Sequence, residues 1–258
     1  MRLRNLLFIS LFLLSGCQNT PPCEHPAREL SVNSALDLTP LNQVPMANSE
    51  REDLAWRYLS ELGCDKLDKQ FVSQRFGNNL VCDIRGKSER QILIGAHHDK
   101  FGVSHGIADN WSGVVVTLSL VNYFKTNPPN HTIRLVLFTG EEKGLVGSRH
   151  FVAHSPLPDY MVNLDTLGTA PLKLDRNSSG ELRCLVPSGI PEVHLRDITG
   201  DWLPFRNAGV PVLAFHALNT ELLQKLHTPR DSRSLINDDE LKQSYEQILR
   251  TVVRLDGR

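Results

Sequence analysis

Five side chains of metal-ligand type, His97, Asp109, Glu142, Asp165 and His227, are spread along this 258-residue chain. Each follows a turn or the end of an apolar run, and each has a glycine or another small residue nearby. Imidazole nitrogen and carboxylate oxygen together suit a borderline divalent cation such as zinc. Taken singly, each residue also has a plainer use. A lone histidine after a strand is commonly a satisfied structural residue. Asp109-Asn110 can cap a helix that begins at Trp111. Glu141-Glu142 can sit in a first helical turn, where the dipole favours acids. Asp165 can cap a turn, and His227, before Thr228-Pro229, can be an ordinary loop residue. The metal reading prevails because the plain readings would all have to hold at once in one chain.

The elements that must position these residues are legible from periodicity. Ser49-Glu50-Arg51-Glu52, followed by Leu54, Tyr58, Leu59 and Leu62, predicts a capped amphipathic helix ended by Gly63. Leu80–Arg85 alternates as a strand, and Gln91–Ala96 is a short apolar run ending at His97-His98-Asp99. Trp111–Lys125 is apolar and long enough for a buried helix stopped by Pro128-Pro129. Thr132–Phe138 is a β-branched, apolar strand ending at Gly140-Glu141-Glu142. Further along, Leu145–His154 suits a helix, Tyr160–Leu164 a strand and Glu181–Val186 a weaker strand. Leu203–Ala208 suits a short helix, Val210–Phe215 a strand and Asp238–Leu255 a final amphipathic helix. Strands that alternate with helices and read as near-continuous apolar runs predict an α/β fold: a three-layer helix–sheet–helix sandwich with a mixed, mostly parallel central sheet. His97, Glu141, Glu142 and Asp165 fall at carboxyl ends of strands, where ligands bind in open α/β sheets.

Several segments, in order, resemble the co-catalytic zinc aminopeptidases, a superfamily that also holds carboxypeptidase-like members and the glutaminyl cyclases. They are Ile94-Gly95-Ala96-His97-His98-Asp99, Gly106-Ile107-Ala108-Asp109-Asn110-Trp111-Ser112-Gly113, Phe138-Thr139-Gly140-Glu141-Glu142-Lys143-Gly144-Leu145-Val146-Gly147-Ser148, Asn163-Leu164-Asp165 and His227-Thr228-Pro229. The resemblance implies two zinc ions roughly 3.5–4 Å apart, bridged by Asp109. His97 and Asp165 would complete one ion, and Glu142 and His227 the other. It implies Glu141 as the general base, taking a proton from the attacking water and passing it to the leaving amine. Asp99, two residues after His97, fits an acceptor that fixes the His97 tautomer. The peptide after Asp109 is implied to be cis.

There are departures. The family often has Tyr where this chain has His98, which makes His98 a rival ligand, and a Ser-like residue at Lys100. Gly200-Asp201-Trp202-Leu203-Pro204-Phe205 matches a segment that commonly carries Asp-His, and Trp202 replaces that His. The segment walls the pocket in relatives, so Asp201, Trp202 and Trp111 are expected to line it, with core packing the competing reading for both tryptophans. The activity expected is removal of N-terminal residues from peptides. The alternative is a glutaminyl cyclase, with one zinc and pyroglutamate as product. A non-catalytic binding module on the same fold is disfavoured, because base and ligands are all present. Zinc, cobalt and manganese are not separated by N/O ligands alone.

Composition and the N-terminus set the remaining expectations. With 28 basic and 29 acidic residues and no basic block, the chain carries no electrostatic footprint for nucleic acid. Met-Arg-Leu-Arg-Asn, an apolar run from Leu6 to Leu14, and Ser15-Gly16-Cys17 describe a secretory signal over residues 1–16, too short to span a bilayer as a helix. Leu14-Ser15-Gly16-Cys17 resembles the lipobox of bacterial lipoproteins, which implies an acylated Cys17 as membrane anchor. Gln18 then favours the outer membrane, with the domain facing the periplasm; the inner membrane and soluble periplasm are the alternatives. Residues 17–48 read as lipidated cysteine and tether, and 49–258 as the catalytic domain. Cys23, Cys64, Cys82 and Cys184 would meet an oxidising compartment. Cys64 and Cys82 flank a strand–turn–strand and could pair; three complete pairings, or free buried thiols, stay open. The chain is short for the superfamily, so a monomer is expected.

Overall fold

The computed structural model describes residues 34–194 and 199–258. Its centre is an eight-stranded sheet in the order β1-β2-β4-β3-β5-β8-β6-β7. The strands are β1 (Lys66–Ser73), β2 (Gly77–Ile84), β3 (Ser88–His97), β4 (His131–Phe138), β5 (Tyr160–Asp165), β6 (Lys173–Asp175), β7 (Glu192–Val193) and β8 (Val212–His216). The four central strands β4-β3-β5-β8 run parallel. Antiparallel partners join them through β2 on one side and β6 on the other. Among the described residues, six α-helices accompany the sheet: α1 (Asn48–Leu62), α2 (Ser112–Thr126), α3 (Val146–His154), α4 (Trp202–Asn207), α5 (Thr220–Leu223) and α6 (Asp238–Asp256).

Two-residue alternation divides the core into two layers. Ile92, Ile94, Ile133, Leu135, Leu137, Val162, Leu164, Leu213 and Phe215 face the layer that holds α1, α2 and α6. Their neighbours Leu93, Val136, Phe138, Met161, Val212 and Ala214 face Phe151 of α3 and Trp202 and Phe205 of α4. Both faces are covered, so the central strands carry apolar residues at successive positions instead of alternating with polar ones. This is the expected sandwich.

Two expectations are corrected. Residues 181–186 are not a strand: Gly180–Leu185 is a 3₁₀ helix, with Leu182 and Leu185 buried three positions apart. That spacing is the 3₁₀ repeat, and it brings both leucines onto one side. The tether also ends earlier than residue 48. Leu36, Pro40 and Leu41 are buried, and the Trp111 indole N–H donates to the Pro40 carbonyl at 2.9 Å. Cys64 and Cys82 form a disulfide that closes the β1–β2 hairpin at its open end, and Cys184 is also disulfide-bonded.

Candidate metal centre

The carboxyl ends of β3, β4 and β5 open into one cleft. β3 ends at His97, Gly140 follows β4 and releases the turn Glu141–Lys143, and β5 ends at Asp165. Gly140 sits at φ 65°, a left-handed conformation that glycine adopts without steric cost. His227 enters from the loop between α5 and α6.

The remaining residues of the two motif segments hold the Asp109 loop against the end of β5. Asn110 Nδ2 donates to the Leu164 carbonyl at 2.8 Å, and Asn110 Oδ1 accepts from the amides of Gly113 and Thr166. Ser112 Oγ donates to the Ala108 carbonyl at 2.7 Å and accepts from the Leu167 amide. A Cβ on Gly113 would lie 2.4 Å from Asn110 Oδ1 and 2.8 Å from the Leu164 carbonyl, so that position excludes any side chain. The Asp109–Asn110 peptide is cis.

This packing brings all five ligand-type residues together. His97 Nε2 lies 3.1 Å from Asp109 Oδ1 and 3.8 Å from Asp165 Oδ1. His227 Nε2 lies 3.3 Å from Asp109 Oδ2 and 3.0 Å from Glu142 Oε2. Two donor triads result, His97/Asp109/Asp165 and Asp109/Glu142/His227, with the donor atoms of each within 4.8 Å of one another. Asp109 belongs to both and presents a different oxygen to each. Glu141 Oε2 is 3.9 Å from His97 Nε2.

The fit of a cation can be tested on the tautomer of His97. Its Nδ1 lies 3.2 Å from the Asp99 carbonyl, which can only accept, so Nδ1 carries a proton. Nε2 is buried and makes no hydrogen bond of acceptable geometry, yet carboxylate oxygens surround it. Burial opposes a charge on His97, but Glu141, Asp109 and Asp165 raise its affinity for positive charge well above that of an ordinary histidine, so Nε2 calls for a proton or a cation between it and the carboxylates. The donor chemistry, two imidazoles and three carboxylates, fits zinc.

Electrostatics give the same picture. Burial pushes Glu141 well above the ordinary glutamate range, and the charges of Asp201, Asp165 and Asp109 push the same way. Burial also raises Glu142 and Asp165. Asp109 is the exception: burial opposes its charge, but the adjacent imidazoles of His227 and His97 hold it well below the usual aspartate range. Hydrogen bonds to Asp109 and Glu142 raise His227 to about 10. The acids of the cluster thus draw positive charge onto both of its imidazoles, His97 and His227.

Asp99 meets its neighbours through both main chain and side chain. Its carbonyl faces His97, and its carboxylate accepts from the amides of Glu141 and Glu142 at 3.1 and 3.3 Å, fixing the turn that carries both glutamates. His98 turns away, its Nε2 lying 3.1 Å from the Asn78 carbonyl, and belongs to neither triad.

A cavity of about 320 Å³ opens over the cluster, lined by Asp109, Glu141, Glu142, Asp165 and His227, with Thr166, Thr199, Leu218, Leu223 and Leu226 as its other walls. The expected wall residues Trp111, Asp201 and Trp202 do not line it. Trp111 is fully buried in the α1/α2/α6 layer. Trp202 packs among the aromatic residues of the α3/α4 layer, and Asp201 is buried beside it. The leucines were missed because three apolar residues spaced five and three positions apart around a four-residue helix carry no mark of a ligand wall. Another missed contact is Phe101, whose ring stacks on His227 at 4.4 Å between centroids, with Lys143 Nζ 4.7 Å above Phe101.

An α/β sandwich with paired N/O donor triads sharing one carboxylate at its strand ends has the layout of a metal-dependent hydrolase. The sequence pattern of peptidase family M28 matches residues 79–252, and the chain belongs to that family. It is 29% identical over 182 residues to aminopeptidase YwaD of Bacillus subtilis, a match covering 62% of this chain and 40% of that protein. A vacuolar membrane protease of Laccaria bicolor is 31% identical over 132 residues, 48% of this chain and 13% of that protein. These matches thus span well under half the length of either relative. The fold is shared with a zinc aminopeptidase from Bacillus subtilis, at TM-score 0.62 and 25% identity over 68% of this chain and 49% of that one. It is also shared with the glutaminyl cyclase of Tannerella forsythia, at TM-score 0.64 and 18% identity over 81% and 92% of the two chains.

Proposed function

We propose that this chain is a co-catalytic zinc aminopeptidase that hydrolyses N-terminal residues from peptides. The observation that carries the reading is the single carboxylate, Asp109, shared between two donor triads at the floor of an acidic, leucine-walled cavity. His97, Asp109 and Asp165 would hold one zinc ion, and Asp109, Glu142 and His227 the second. Bound zinc would supply Lewis acidity toward the scissile carbonyl and make water acidic enough to attack at neutral pH.

The chain's own residues supply the rest. Glu141 is anchored by its amide to Asp99, lines the cavity and belongs to neither triad. Its raised affinity for protons suits a general base that takes the proton of the attacking water and delivers it to the departing amine. The acidic floor attracts the ammonium group of a peptide N-terminus. Leu218, Leu223 and Leu226 offer an apolar wall to the first side chain, which favours leucine-like and aromatic residues over charged ones. Export as a monomeric lipoprotein, acylated at Cys17 and held on the outer membrane, completes the reading. Residues 1–33 lie outside those described, and among the described residues no helix is long and apolar enough to cross a membrane.

The test combines metal analysis of the purified chain with aminoacyl amides and a peptide carrying N-terminal glutamine. Two zinc ions with release of apolar N-terminal residues support the proposal. One ion with pyroglutamate formation would replace it by a glutaminyl cyclase.

A further inference from the structure

Arg51, on α1, is fully buried, and none of the ion pairs among the described residues involves it. Burying a guanidinium is costly unless its donors are satisfied. Here three carbonyl oxygens converge on it. Nε donates to His98 at 2.6 Å, Nη1 to His105 at 3.1 Å and Nη2 to Gly106 at 2.9 Å. The guanidinium also lies 4.8 Å from the centre of the Trp111 ring. The four contacts bracket two ligands: His98 follows His97, His105 and Gly106 open the turn to Asp109, and Trp111 closes it. Gly106 itself has φ 61°, and a Cβ there would lie 2.5 Å from the Lys100 Cβ, so the turn is tightly packed beneath the arginine.

The opposite side of the same turn is held by Asp231. Its carboxylate accepts from the amides of Ala108 at 2.7 Å and Asp109 at 3.3 Å, and from Ser104 Oγ at 3.1 Å. Ser104 Oγ in turn accepts from the Gly106 amide at 2.8 Å. Arg51 thus takes the carbonyls of the segment, and Asp231 takes its amides. Asp231 stands four residues after His227, so this clamp ties the backbones of His97, Asp109 and His227 into one unit. Arg51 lies outside residues 79–252, the part matched by the family pattern.

We propose that Arg51 is a positioning residue for the metal centre, setting the separation of His97 and Asp109 through its planar three-carbonyl fork, with Asp231 as its counterpart. The inference rests on the reading of the cluster as a zinc site. Two effects compete. The positive charge of Arg51 repels cations, so its loss alone would tighten zinc binding. Its fork orders the ligands in advance, so its loss would weaken zinc binding. Supporting contacts of this kind are commonly worth about 10- to 100-fold in metal affinity or activity, and the fork is expected to win. Lysine keeps the charge but presents a point donor that cannot span three carbonyls.

The experiment uses Arg51→Lys and Arg51→Met in the full chain, reading zinc affinity by competition with a chelator, the visible spectrum of the cobalt(II) form, and kcat and KM separately. Both variants are expected to bind at least one zinc ion about 10- to 100-fold more weakly, with an altered cobalt spectrum and a loss carried by kcat. Folded variants with wild-type zinc affinity and an unchanged spectrum would overturn the inference. Wild-type behaviour in Arg51→Lys alone would show that a single point donor suffices and overturn the fork as well. If neither variant folds, Ser104→Ala decides, since it loosens the same segment while sparing the arginine. It is expected to weaken zinc, and unaltered affinity would count against the clamp. A wild-type chain that takes up no zinc would instead remove the reading on which the inference stands.

Discussion

At the scale of single residues, the two glutamates of Gly140-Glu141-Glu142 have different tasks although they are adjacent. Glu142 lies 3.0 Å from His227 and belongs to a triad, whereas Glu141 belongs to none and is held well above its ordinary proton affinity by burial and neighbouring acids. Glu141→Gln is therefore expected to keep its zinc and lose about 10²- to 10⁴-fold in kcat. Zinc analysis beside amide hydrolysis checks this, and near-normal turnover would remove Glu141 as the base. The shared carboxylate makes a sharper prediction. Asp109→Ala should lose both ions together, whereas Glu142→Ala and Asp165→Ala should each lose one, read as zinc per chain. Loss of a single ion from Asp109→Ala would refute the bridge. The five ligand-type residues were legible because their types are rare at strand ends and their flanking glycines mark forced turns. Arg51 and Asp231 were not, because a helical arginine and a loop aspartate look like ordinary surface residues until folding buries them.

At the scale of elements, the sheet positions the site because three strand ends share one edge of the cleft, and strands of period two with both faces buried are readable from sequence. The short outer strands β6 and β7 were not readable, since two or three residues hold no period. β8 carries a testable consequence. Its last residue, His216, is buried, and its Nδ1 accepts from the Leu218 amide at 3.1 Å. Burial lowers its pKa to about 4; Lys173 pushes the same way, and Asp175 opposes them. The unfolded chain takes up this proton near pH 6.5, and the folded chain does not. The sign follows: the contribution of His216 to stability is whole above about pH 6.5 and is lost as the pH falls toward 4. The loss should amount to about 3 kcal/mol. Thermal unfolding between these limits should show a shallower acid slope in His216→Asn, which keeps an acceptor without the titration. Equal slopes in the two proteins would exclude His216 as the source.

At the scale of the whole molecule, two devices join distant parts of the chain. The first is the lipid anchor proposed at Cys17. If Cys17 is the acylated residue, Cys17→Ser should leave the membrane fraction and appear in the soluble one; a variant that stays with membranes after a high-salt wash would exclude the anchor. The second device is the proposed metal centre, whose candidate ligands run from His97 on β3 to His227 before α6 and so close most of the domain into one loop. Without cations, the cluster confines several acids whose proton affinities are raised by burial, Glu141, Glu142 and Asp165 among them, with Asp201 at about 7. Binding to the folded chain alone adds about 2.7 kcal/mol per site at a hundredfold excess over Kd, and it also relieves that repulsion. With two sites, chelation should therefore lower Tm by roughly 10–20 °C in step with activity, and added zinc should restore both. A chelated protein that loses activity while its Tm stays fixed would show that the ions do not tie the fold together. The strand ends would then be held by the packing of the two apolar layers and by the polar ties of Asn110, Ser112 and Asp231 alone.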